Sequence, residues 1–116
     1  MTVGISKLIR LNDAGLVRAH NFGPPPEIVI KLFKTNPDIW RADLQDYDQS
    51  GVTKYSIPTI IASERKGAHL SDEDLKNTIV ILGDYFYGCD ALKIQAGQEF
   101  DGRLKNRPPL IFLWWD

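Results

Sequence analysis

The chain has 116 residues, 43% of them hydrophobic, which is enough for one domain with a single core that needs neither metal nor disulfide to hold it. Fourteen basic against fifteen acidic side chains leave a formal charge of -1, so no overall field draws the molecule to nucleic acid or to an anionic membrane. The longest apolar run, the six residues 110–115, is far short of the roughly 20 that cross a bilayer, and the first residues lack the pattern of a secretory signal.

Residues 2–11 are rich in β-branched side chains and lead into Asn12-Asp13-Ala14-Gly15, a cluster with turn chemistry, after which residues 16–22 lean apolar again. The pattern predicts an opening β-hairpin. Gly23-Pro24-Pro25-Pro26 stops any strand, because proline supplies no ladder donor, yet proline suits the first turn of a helix. A helix is therefore expected from about Pro26, with Ile28, Val29, Leu32 and Phe33 on one face and Asn36-Pro37 as its stop.

In residues 38–47, Ile39, Trp40, Leu44 and Tyr47 fall at spacings that a short amphipathic helix would use, with Asp38, Asp43 and Asp46 elsewhere on the wheel. Gln49-Ser50-Gly51 breaks the chain, and residues 52–62 are again β-branched. Pro58 inside that run points to an edge strand or a bulge. Residues 63–67 read as a polar loop.

Ser71 followed by Asp72, Glu73 and Asp74 has the chemistry of a capped helix start with carboxylates at the positive end of its dipole. Leu75, Ile79, Leu82 and Phe86 continue that helix; a buried strand over 78–82, ended by Gly83, is the competing reading. Residues 92–95 and 110–115 are the last strand candidates, on either side of a loop at 101–109. The expected architecture is a single α+β domain, a mainly antiparallel sheet with two or three helices packed on one face. Strands do not alternate regularly with helices, which argues against a doubly wound nucleotide-binding fold.

The most motif-like string is Asp46-Tyr47-Asp48-Gln49-Ser50-Gly51, which resembles the first half of an EF-hand calcium loop. Position 12 of that loop is Ile57 instead of a bidentate glutamate, and Pro58 stands where a helix should run. The string is read as a turn and no metal site is assigned. His20 and His69, the two imidazoles, are the only candidates for an acid–base pair of a small metal-free hydrolase or nuclease, and their local sequence does not bring them together. Cys89 follows the end of a helix and precedes Asp90; both neighbours oppose a reactive thiolate, so a half-buried structural thiol is expected. As the lone cysteine it cannot form a disulfide within the chain, which suits the cytoplasm or a virion assembled there. No glycine-rich phosphate loop is present, and no cofactor is expected.

The remaining candidates are surfaces for another protein or for copies of this chain. Arg103, Lys105 and Arg107 form a basic loop that would complement Asp38, Asp43, Asp46 and Asp48 of a neighbouring copy. Trp40, Trp114 and Trp115 are rigid aromatics of the kind enriched in contact hot spots. In a strand, Trp114 and Trp115 face opposite sides, so at most one of them enters a given core face. The apolar tail closes the protein's own sheet or is given to a partner. The sequence thus favours a non-catalytic protein-interaction domain, foremost a subunit of a larger assembly such as a phage particle component. The alternatives are a small inhibitor of the toxin-immunity or anti-defence kind, and a hydrolase built on His20 and His69.

Overall fold

The computed structural model describes residues 1–63, 70–94 and 110–116. These form an α+β fold in the order β1 (Thr2–Val3), α1 (Ile5–Asp13), β2 (Val17–Ala19), α2 (Pro26–Thr35), β3 (Trp40–Gln49), β4 (Val52–Ser63), α3 (Asp72–Leu82), α4 (Asp84–Tyr87), β5 (Asp90–Ile94) and β6 (Leu110–Trp114). The sheet runs β1-β3-β4-β6-β5 with every one of those pairings antiparallel, and β2 lies parallel beside β4. No described helix is long and apolar enough to cross a membrane.

The core lies between one sheet face and the helices. Trp40, Ala42, Leu44, Ile57, Ile60, Ala62, Leu113 and Trp115 from the strands share a buried cluster with Leu8 of α1, Val29, Leu32 and Phe33 of α2, and Leu82 of α3. Phe33 and Trp40 stack with centroids 6.2 Å apart and planes 10° from parallel. The α2 boundaries follow from the prolines before it and Asn36-Pro37 after it, as its sequence predicts. α3 starts with a reciprocal cap: Asp74 N–H donates to Ser71 Oγ at 3.1 Å, and Ser71 N–H donates to Asp74 Oδ2 at 2.9 Å. Helix, not strand, occupies 78–82, because Thr78 and Leu82, four residues apart, both turn inward.

Two expectations are corrected. The opening hairpin is instead a two-residue edge strand followed by α1, since Ile5, Leu8 and Leu11 recur at helical spacing and turn toward the core. Residues 38–47 hold no helix. They lead into β3, where Trp40, Ala42 and Leu44 are buried at alternate positions while Asp43 and Gln45 are exposed.

Pro58 marks a bulge and not an edge. Asp43 pairs with Thr59 and Gln45 with Ser56, so Leu44 alone opposes Ile57 and Pro58. On the other side of β4, β2 pairs with residues 55–57 and β6 with residues 59–63, leaving Pro58 at the seam between them. A residue without an N–H loses nothing there, and its carbonyl accepts from Trp115 N–H at 2.9 Å. The predicted loops at 63–67 and 101–109 lie outside the described residues, save Ser63, which ends β4.

Candidate functional site

Directly opposed residues in an antiparallel ladder point to the same side, so the registers define what each sheet face carries. One transverse row crosses five strands: Thr2, Asp43, Thr59, Trp114 and Asp90. The next row holds Arg41, Ile61 and Phe112. Apart from Arg41, whose guanidinium reaches the head of α1, these residues face away from α1, α2 and α3, and no described helix covers them. Thr59, Ile61, Phe112 and Trp114 are half-buried, whereas Asp43 and Asp90 are exposed. The face therefore has an apolar, aromatic centre with carboxylates on both sides of it.

The two C-terminal tryptophans divide as strand alternation requires. Trp114 belongs to the helix-free face. Trp115 is 2% exposed on the other, with its Nε1–H donated to the Tyr85 carbonyl at 2.8 Å. Gly23 lies against it; a Cβ there would stand 3.4 Å from Trp115 Cβ and Cγ, and only 2.9 Å from the His20 carbonyl. Trp40 is 1% exposed, and its indole N–H has no acceptor among the described residues. Trp40 and Trp115 are thus interior side chains, and of the three tryptophans only Trp114 is partly exposed.

Asp43, Asp46 and Asp48 are exposed along β3, Asp43 lying 3.7 Å from the N-terminal ammonium. Of the Asp46–Gly51 string, Asp46 to Gln49 are the end of β3, and only Ser50 and Gly51, both at positive φ, make the turn that its sequence predicts, with Gln49 paired to Val52. Arg18 stacks over the Tyr47 ring at 4.3 Å. Arg103, Lys105, Arg107 and His69 lie outside the described residues.

His20 Nδ1 is 2.9 Å from Ser56 Oγ, and Asn21 Nδ2 is 3.4 Å from His20 Nε2. That spacing matches a nucleophile and its base, but Ser56 is only 5% exposed within β4, where a substrate carbonyl does not reach it. The contact serves to tie the segment after β2 to the sheet. Among the described residues, no group of three His, Cys, Asp or Glu side chains is gathered to hold a metal ion.

Sequence reasoning passed over Ile61, Thr59 and Asp90, which join Trp114 on its face only through strand pairing. It also passed over Phe22, which is 89% exposed. The glycine and prolines after Phe22 were the one available sign that this aromatic sits in a loop. No protein-family model matches the chain, and no curated protein or solved structure matches it either.

Proposed function

We propose that the chain is a non-catalytic interaction domain that assembles with copies of itself through the helix-free face of its sheet. The observation that carries this reading is the placement of Trp114 beside Ile61 on a face that no described helix covers. A large aromatic and a branched aliphatic at the centre, with polar and charged side chains around them, is the anatomy of a contact hot spot and its rim. Thr59 between them and Asp43 and Asp90 beyond them complete that pattern. The product is a subunit of a larger homomeric body.

Light scattering coupled to size-exclusion chromatography tests this with wild type and Trp114→Ser. The expected outcome is a concentration-dependent oligomer that the variant loses while keeping its circular dichroism; truncating a hot spot costs about 2 kcal/mol or more, roughly a thirtyfold loss of affinity. An oligomer unchanged by Trp114→Ser places the contact elsewhere. A wild type that stays monomeric at high concentration removes self-assembly.

The second reading, a small inhibitor acting as a free monomer, is favoured by one observation. The aromatic tail is spent on the protein's own sheet, with β6 paired on both sides and Trp115 in the core. Its acidic β3 residues Asp43, Asp46 and Asp48 suit a basic target.

A further inference from the structure

A cleft of about 450 Å³ opens between α1 and the segment joining α2 to β3, and neither His20 nor Trp114 lines it. Ser6, Lys7 and Arg10 line it from α1, and Pro37, Asp38 and Arg41 from the opposite wall. Lys7 and Arg10 are three residues apart on one helix and so share a face. Arg41 is held from behind: its Nη1 donates to the carbonyls of Pro37 at 3.1 Å and Trp40 at 2.7 Å. A Cβ built on Gly4 would stand 3.7 Å from the Arg41 guanidinium carbon, so that group lies against the head of α1.

Three cations therefore face one cleft against the single carboxylate of Asp38, and none of the three is ion-paired among the described residues. Collecting like charges in a concavity costs free energy, and an anion that they share recovers it. We propose that this cleft binds a small phosphorylated ligand through Lys7, Arg10 and Arg41. The fixed guanidinium supplies the planar fork that matches phosphate oxygens, and the lysine supplies a mobile point charge. The volume is that of a small-molecule site that is open to solvent. The walls contain no aromatic side chain to stack a base, so the ligand class is a sugar phosphate or pyrophosphate and not a nucleotide recognised by its ring.

The test is titration of the whole chain with inorganic pyrophosphate, ribose 5-phosphate and AMP at low salt, followed by backbone amide shifts and calorimetry. Saturable shifts confined to residues 4–10 and 37–41 are expected, with affinity falling about tenfold or more in the Lys7→Ala, Arg10→Ala double variant. Asp38→Asn removes the opposing charge and is expected to tighten binding, an outcome that a merely unfolded variant does not give. AMP should bind no tighter than ribose 5-phosphate; a marked preference for AMP would overturn the ligand class. Absence of saturation, shifts spread over all surface cations, or binding indifferent to the three substitutions would overturn the site. Either result stands apart from the oligomeric state, since the substituted residues Lys7, Arg10 and Asp38 lie off both rows of the sheet face, and Arg41, which pairs with Ile61 on the second row, is left unchanged.

Discussion

Cys89 makes the single-residue chemistry testable. Its Sγ–H donates to the Phe86 carbonyl at 3.0 Å. Burial pushes the thiol above its ordinary pKa, a backbone hydrogen bond partly offsets that, and the Asp90 carboxylate adds to the rise. Because the folded thiol holds its proton to higher pH than the unfolded one, its contribution to stability is complete below the unfolded thiol pKa and is lost as pH climbs through the folded value. Urea unfolding at pH 7 and at about pH 10, above the ordinary thiol range, should show a larger loss for wild type than for Cys89→Ser, which keeps a donor to Phe86 but does not ionise there. Equal losses in the two proteins would contradict the assignment. The direction of this shift was legible in the sequence, because Asp90 and the preceding helix end both oppose a thiolate. The partner of His20 was not: Ser56 is 36 residues away and meets it only through the parallel pairing of β2 with β4.

Among the elements, the β3–β4 hairpin is the one on which the sheet depends, and its turn is the simplest place to perturb it. Ser50 and Gly51 have φ of 54° and 82°, the left-handed pair that a two-residue hairpin turn needs. A Cβ added at Gly51 meets nothing within 4 Å, so Gly51→Ala isolates the backbone term. It should cost about 1–2 kcal/mol in chemical denaturation, the usual penalty for an L-residue held left-handed. A cost near zero would mean that the turn relaxes to another type. The break at 49–51 was legible because its residues are turn formers wherever they occur. The character of β3 was not, since Ile39, Trp40, Leu44 and Tyr47 also fit a helix, and the deciding alternation runs through small Ala42. Only the twelve-residue strand opposite makes that segment extended. The first helix was missed for the converse reason: β-branched residues at 3, 5 and 9 suggested strand, while Ile5, Leu8 and Leu11 carried the helical period. In α3, by contrast, the cap and the apolar spacing pointed the same way.

At the scale of the molecule, one strand serves two surfaces, and adjacent tryptophans should separate them experimentally. β6 is an interior strand between β4 and β5, so alternate side chains enter the core at Leu113 and, one residue past the strand's end, Trp115, and the helix-free face at Phe112 and Trp114. Chain order hid this, because the partners of β6 come from residues 59–63 and 90–94, and the tail alone says only that its two tryptophans part company. Trp115→Ala removes a side chain packed against Gly23 and bonded to the Tyr85 carbonyl; a loss of about 3–5 kcal/mol is expected from the cavity and the unpaired acceptor. Trp114→Ala removes cross-strand contact with Thr59 and Asp90 and should cost about 1 kcal/mol or less. Urea denaturation of the two variants at a concentration where the protein is monomeric measures both. Comparable losses would mean that the second face is also part of the stability core, and would leave Trp114 no surplus to give a partner. A wide gap means that the fold holds without Trp114, so that its large aromatic surface is free to be used in contact.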